Sequence, residues 1–129
     1  MREITLLNGK KYPVFLDYNI IAKIQDKCGD IKKLPELMHT LDGLAWVVKE
    51  SINEGIAKRN YDMGTADNGI TDFEIGMWLP IEPEKISDIG GSILDAFYDC
   101  MGGRKNAEAV VKQTGKTLPN LTGNKKAGK

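Results

Sequence analysis

Two short runs of apolar and polar residues open the chain, at positions 3–7 and 11–16, and Asn8-Gly9 lies between them. Asn-Gly is the dipeptide that best accepts the positive φ angles of a tight hairpin turn. Pro13 has no amide proton, so it belongs at the edge of a sheet rather than in a central strand. The pattern predicts a β-hairpin over residues 3–16, and a two-stranded ribbon of this kind needs helices to cover it.

Apolar residues then recur at three- and four-residue spacing, which is typical of amphipathic helices. Asp17 is suited to cap the first helix, and Asp42-Gly43 marks an interruption in the second. Thr71 and Glu74 form a capping box at the start of the third, after a turn-rich loop over residues 60–69. The four helices are predicted over residues 17–28, 35–58, 71–79 and 83–101.

The apolar periodicity stops at Met101, and Gly102-Gly103 follow. We therefore predict one folded domain over residues 1–103, of the α+β class but mostly helical, in which the hairpin packs on four to five helices. Residues 104–129 hold seven Lys or Arg against the single acid Glu108 and have no core pattern. This basic tail is expected to be disordered in isolation.

Composition is that of a globular protein, with 41% hydrophobic residues, 28% charged residues and a formal net charge of zero. Residues 1–103 carry eleven bases and seventeen acids, so this body would repel phosphate and no nucleic-acid partner is expected. Neither a secretory pattern nor an apolar window of ~18 residues is present, so no membrane association is expected. Two cysteines are too few for a disulfide framework, which favours reduced thiols in a cytoplasm.

Motifs for nucleotide or calcium binding are incomplete. Gly115-Lys116-Thr117 matches the end of a phosphate-binding loop, but Val110 occupies the position of the required first glycine. When Gly69 is set as the sixth residue of a calcium loop, three of the required ligand positions lack a side-chain oxygen. The sequence thus predicts no cofactor.

The sequence signals for a catalytic site and for a metal site are equally weak. Cys28 or Cys100 beside the single histidine, His39, would be a nucleophile and base, but neither cysteine lies in a glycine-rich elbow or among bases that lower a thiol pKa. Cys28 falls on the core face of its helix, which favours inert packing. One histidine and two distant cysteines cannot form a zinc site. We expect no enzyme.

An acidic stripe runs along the last predicted helix, opposite its apolar face, and consists of Asp88, Asp95 and Asp99. Paired carboxylates four residues apart can share a proton or a magnesium ion. A solvated acidic face is the favoured interpretation, and a strip that binds a partner is the principal alternative.

Apolar residues exceed what one core stripe needs in the segment of residues 73–79. Phe73, Met77 and Trp78 make this short helix apolar on nearly every side, and Trp46 lies off the apolar stripe of its own helix. Exposed apolar surface flanked by polar residues is typical of a protein-binding site. These four side chains are therefore candidates for partner binding, and the alternative is that both tryptophans close a two-sided core.

The order of these elements resembles the tail assembly chaperones of long-tailed bacteriophages and prophages. The resemblance covers residues 3–102 and rests on three segments: LLNGKKYPVFLDYNIIAKIQDKCGDIKKLPEL, LAWVVKESINEGI, and TDFEIGMWL before the last helix. It implies a protein of the bacterial host cytoplasm, without enzyme activity, that binds the tape measure protein and recruits tail tube subunits. Self-association is left open. The alternatives are a structural or connector protein of the virion tail, and a small regulator that binds DNA.

Overall fold

The computed structural model describes residues 1–103, so the basic tail and the glycine-lysine motif within it lie outside the described residues. The predicted α+β class is confirmed, with an N-terminal hairpin followed by helices. The elements are β1 (Arg2–Thr5), β2 (Lys11–Val14), α1 (Tyr18–Cys28), a 3-10 turn (Ile31–Lys33), α2 (Leu34–Leu37), α3 (Leu41–Met63), α4 (Asp72–Trp78) and α5 (Pro83–Cys100).

The hairpin is antiparallel, with Arg2 opposite Val14 and Thr5 opposite Lys11. Gly9 adopts the positive φ of 77° that the turn requires. The inner face of the ribbon is buried, and α3 covers β2 while α5 covers β1. Ile4, Tyr12 and Val14 therefore belong to one hydrophobic core with the inner faces of the helices.

Helix α3 approaches β2 so closely that only glycine fits at one position. A Cβ atom on Gly55 would lie 2.6 Å from the carbonyl oxygen of Pro13. One turn earlier, the carbonyl oxygen of Ser51 accepts a hydrogen bond of 3.1 Å from the amide of Phe15. Val47, Val48 and Ile52 complete the buried face of α3. This helix is the central support of the fold.

The boundaries of α3 differ from the prediction of one helical region over residues 35–58. The interruption lies at residues 38–40 rather than at Asp42-Gly43, because the Thr40 side chain caps the amide of Gly43 and starts a new helix there. The carbonyl oxygen of Leu37 occupies the space of a Gly43 Cβ, so glycine serves close packing rather than a turn. The spacing of Leu41 from Leu44 and Val48 predicts that it lies on the apolar stripe, but it is exposed at the first position of the helix.

The C-terminal end of α3 also lies further along than expected. The predicted loop over residues 60–69 begins as helix up to Met63. Lys58 supports this last turn through an ion pair of 2.7 Å with Asp62, four residues on. Gly64, with φ of 68°, then ends the helix by donating its amide to the carbonyl oxygen of Asn60.

Ser51 gives a stability prediction. Its side chain is fully buried, and the hydroxyl has no hydrogen-bond partner among the described residues. Ser51→Ala removes this unsatisfied group and adds a better helix former, so the free energy of unfolding should rise by about 1 kcal/mol. Urea titration checks this, with Ser51→Val as the control for overfilling the site. A loss of stability in Ser51→Ala would show that the hydroxyl is satisfied.

Helix α1 begins as predicted, with the Asp17 side chain accepting from the amide of Ile20, and it ends at Gly29 with φ of 84°. At the N-terminal end of α1, the carboxyl group of the capping residue Asp17 faces that of Glu54 on α3. The hydrogen bond shared with Asp17 and partial burial raise the pKa of Glu54. The Asn19 side chain donates to Glu54 across 3.1 Å, which partly offsets the repulsion.

This pair predicts a pH dependence. The pKa of Glu54 is raised in the folded state, so ionised Glu54 costs stability above that pKa, and the cost disappears as the pH falls towards the usual value of the free residue. Glu54→Gln should therefore stabilise the protein at pH 7, by about 0.3 kcal/mol because solvent screens a half-buried group. The gain should vanish in acid, as thermal unfolding across pH can show.

A control is available one turn earlier on the same helix. Glu50 forms ion pairs with Lys23 at 2.9 Å and with Lys49 at 3.5 Å. Glu50→Gln removes attraction rather than repulsion, so it should change stability at pH 7 in the opposite direction. Equal signs for the two variants would contradict the assignment of Glu54.

Candidate partner-binding surface

Helix α4 carries the candidate apolar residues and begins with the predicted capping box. The Thr71 hydroxyl accepts from the amide of Glu74 at 3.1 Å, and the Glu74 carboxylate accepts from the amide of Thr71 at 2.9 Å. The helix stops at Leu79, which is extended, because Pro80 follows. These signals define a helix of seven residues.

Polar bonds from α3 hold the loop that leads into α4. The Asn53 side chain accepts from the amide of Ile70 at 2.7 Å and donates to its carbonyl oxygen at 3.1 Å. About two turns further along α3, the Asn60 side chain accepts from the amide of Asp67 and donates to its carbonyl oxygen. The two asparagines therefore fix the backbone of the loop, and the Thr65 hydroxyl adds one side-chain hydrogen bond of 2.7 Å to Asn60.

Three further contacts set the orientation of α4. Ile75 is buried in the core. Lys49 binds Asp72 at 2.8 Å at the start of the helix, and at its end the carbonyl oxygen of Trp78 accepts a 2.8 Å bond from the amide of Leu7. One face of α4 is consequently directed inward and the other outward.

The outward face is apolar. Phe73 and Met77 lie four residues apart, on the side of the helix opposite Ile75, and their side chains are 75% and 45% exposed. Leu7 is exposed at the same end of α4 as Trp78, and Ile81 is exposed just beyond it. We call Leu7, Phe73, Met77 and Ile81 the α4 patch. A concentration of large exposed apolar residues of this kind is typical of an interaction surface.

The two tryptophans are half-buried and pack against the hydrophobic core. Trp78 lines a groove of about 410 Å³ together with Tyr12 and Ile56. Trp46 lies under the amine of Lys27, which is 4.9 Å from the ring centroid. The structure thus favours core packing for both tryptophans, and each keeps part of its surface exposed to a partner.

The acidic stripe divides into two parts. Arg2 donates to Asp99 at 2.7 Å and lies 3.8 Å from Asp95, so these two carboxylates fasten β1 to α5. The hydrogen bond from Arg2 lowers the pKa of Asp99. Asp88 lies apart from them, in a groove between β1 and α5. The three carboxylates therefore do not form one site.

The histidine and cysteine side chains that could bind a metal ion or act in nucleophilic catalysis lie outside the α4 patch. Within residues 1–103, no group of three or more His, Cys, Asp and Glu side chains is placed to hold a metal ion. The Cys28 thiol donates to the carbonyl oxygen of Ile24 at 3.1 Å. Burial and the carboxylates of Asp17 and Asp99 raise the pKa of Cys100, which disfavours the reactive thiolate. In the same part of the chain, no helix has the length and apolar character needed to cross a membrane.

No protein-family model, no curated protein and no solved structure matches this chain. The geometry of the surface is therefore the basis for assigning its role. The sequence pattern indicated Phe73 and Met77 but not Leu7 and Ile81, whose exposure depends on how α4 meets the hairpin and α5. The sequence pattern also did not indicate the groove beside β1. The only signal was the position of Pro13 on β2, which blocks strand addition at that edge and leaves the β1 edge available.

Proposed function

We propose that this protein is a tail assembly chaperone of a long-tailed bacteriophage or prophage, which binds the tape measure protein and recruits tail tube subunits. The observation that carries the proposal is the outward face of α4, where Phe73 and Met77 are exposed opposite the helix's own anchoring residue. A protein that keeps apolar helices soluble needs such a surface, because those helices would otherwise aggregate before assembly.

The surroundings of the α4 patch support this role. Asp72 is exposed beside Phe73, and Glu74 is partly exposed on the next position. Polar residues around an apolar centre keep the free protein in solution and allow exchange of a bound helix. The identity of the partners comes from the resemblance of the hairpin, α3 and α4 sequences to the chaperone family, and the bacterial host cytoplasm follows as the place of action.

Co-expression tests the proposal. The full chain is produced with the tape measure protein encoded in the same genome, and the soluble fraction of the tape measure protein is measured with and without it. We expect the tape measure protein to become soluble and to co-purify with the chain. If its solubility is unchanged and no complex forms, the proposal is wrong.

Two further measurements separate the alternatives. Mass spectrometry of purified virions should detect no copies of the chain, whereas a structural or connector protein would be present at a fixed number per particle. Binding to random duplex DNA should be undetectable at physiological salt, whereas a DNA-binding regulator would give a shift that weakens as salt rises.

A further inference from the structure

The free edge of β1 borders a groove whose other wall is α5. Its volume is about 380 Å³, and five consecutive residues from Glu3 to Leu7 line it together with Pro80, Asp88 and Ile89. Three of the four β1 residues and the two residues that follow them line the groove, so it runs along that strand. Leu7 is the one residue of the α4 patch that also lines this groove.

The hairpin register shows which backbone groups face this groove. Leu6 donates its amide to the carbonyl oxygen of Lys10 at 3.2 Å. In this register, the even-numbered residues of β1 are the ones whose backbone groups form hydrogen bonds with β2. Hydrogen-bonded and non-hydrogen-bonded pairs alternate in an antiparallel ladder. The amides and carbonyls of Glu3 and Thr5 therefore point away from β2, towards the groove, and both residues are exposed.

The two edges of the hairpin differ in whether they can accept a further strand. On β2, Pro13 lies at an outward-facing position, has no amide proton, and is buried beneath α3. Proline on an edge strand prevents the addition of another strand. β1 has no proline, and although α5 packs against it, an open groove remains between the two along the β1 edge, so this edge can accept a strand.

The backbone at the end of α4 already forms a hydrogen bond with one end of this edge. The next outward-facing amide of the series, that of Leu7, donates to the carbonyl oxygen of Trp78 at 2.8 Å. Leu79 continues with extended angles of φ −74° and ψ 125°, and Pro80 then ends the pairing because it lacks an amide proton. Beyond this hydrogen bond, the groove follows the β1 edge towards Glu3.

Charge and apolar lining define the occupant further. Lys85 in the groove wall is paired with Glu82 at 3.3 Å. Asp88 forms no ion pair within residues 1–103, so the groove presents an uncompensated carboxylate beside the apolar side chains of Pro80 and Ile89. Two copies of the chain joined through this edge would bring two such carboxylates together, which favours a different, basic partner.

We infer that the β1 edge is a strand-addition site for an extended segment of a partner protein, with apolar residues at alternate positions and a lysine or arginine facing Asp88. Backbone bonds to Glu3 and Thr5 provide the affinity, and the groove wall selects the side chains. This site goes beyond the proposed function, because it binds an extended segment rather than an apolar helix, and because its binding groups on Glu3, Thr5 and Asp88 lie outside the α4 patch.

The probe is the peptide acetyl-Thr-Val-Thr-Lys-Thr-Val-amide, titrated into the full chain and followed by NMR. We expect saturable shifts at Glu3, Thr5 and Asp88 and slower amide exchange at Thr5. N-methylation of alternate peptide amides, which removes backbone donors and leaves the side chains, should weaken binding about tenfold. Equal binding of the methylated peptide would overturn the inference.

Variants of the chain test the same point. Thr5→Pro removes one outward-facing donor and should weaken peptide binding about tenfold, whereas the matched Lys11→Pro, on the opposite edge, should leave it unchanged. Asp88→Lys should weaken the lysine peptide about fivefold and strengthen a peptide with glutamate in place of lysine. The charge swap remains decisive if Thr5→Pro does not fold, and no preference in the swap would contradict the inference.

Other occupants give distinct results. Amide protection at Glu3 and Thr5 without peptide that rises with protein concentration would identify a second copy of the chain. Protection without peptide at every concentration would identify a segment of this chain after Gly103. Either result would overturn the assignment to a partner protein. Binding of a helical partner to the α4 patch is measured separately and does not depend on Thr5→Pro.

Discussion

Replacing Gly55 by alanine is expected to lower the free energy of unfolding by about 2 kcal/mol, although alanine is the better helix former. The added Cβ would lie 2.6 Å from the carbonyl oxygen of Pro13, 2.8 Å from its carbonyl carbon and 3.1 Å from its Cβ. Backbone atoms cannot rotate away as a side chain can. Helix α3 and strand β2 would therefore separate along their contact.

The matched control is Gly90→Ala in α5, where a Cβ meets no atom within 4 Å. This change should raise the free energy of unfolding by about 0.5–1 kcal/mol through helix propensity alone. Urea titration of the wild type and both variants measures the difference. If Gly55→Ala is as stable as Gly90→Ala, the close packing of α3 on β2 is not present in solution.

Phe73→Asp is expected to weaken the binding of an apolar helical partner by about 30-fold or more, since large aromatic anchors carry on the order of 2 kcal/mol of an interface. Phe73 is 75% exposed and lies on the side of α4 opposite its buried residue, so folding does not depend on it. The aspartate places a charge within the α4 patch. Isothermal titration with a tape measure helix gives the affinity, and circular dichroism gives the thermal stability.

Tyr61→Asp is the control for that experiment. Tyr61 is 89% exposed near the end of α3 and lies outside the α4 patch. The Tyr61→Asp substitution should leave both the affinity for the helical partner and the thermal stability unchanged. A loss of stability in Phe73→Asp would assign Phe73 to the core, and equal affinities for the two variants would exclude the α4 patch as the binding surface.

The sequence predicted those elements whose signals are local. The Asn8-Gly9 turn, the Asp17 cap and the Thr71 to Glu74 capping box each depend on residues within a few positions, and all three appear as expected. The break before α3 was misplaced because Asp42-Gly43 has the composition of a turn. Its glycine is instead required by a carbonyl oxygen of the preceding segment, which no local pattern reveals.

The candidate surface was predicted only in part, for a reason that applies to all amphipathic helices. A helical wheel measures the angle from one apolar stripe and does not show that Trp46 and Trp78 both pack against the hydrophobic core. Phe73 was distinguished from them only when the position of Ile75 fixed the inward face of α4. Likewise, the sequence pattern groups Asp95 and Asp99 in one stripe with Asp88. The structure separates them, because Arg2 of the distant strand β1 forms ion pairs with Asp95 and Asp99.

The asparagine bonds to the loop before α4 have a consequence for how the protein can change during evolution. Asn53 and Asn60 hold the loop through its backbone at Ile70 and Asp67, and among the side chains of α4 itself Ile75 is the one that is buried. Substitutions on the outward face of α4 therefore leave both its attachment and the core intact. Recognition can diverge to follow a changing partner while the scaffold sequence stays under separate selection for stability.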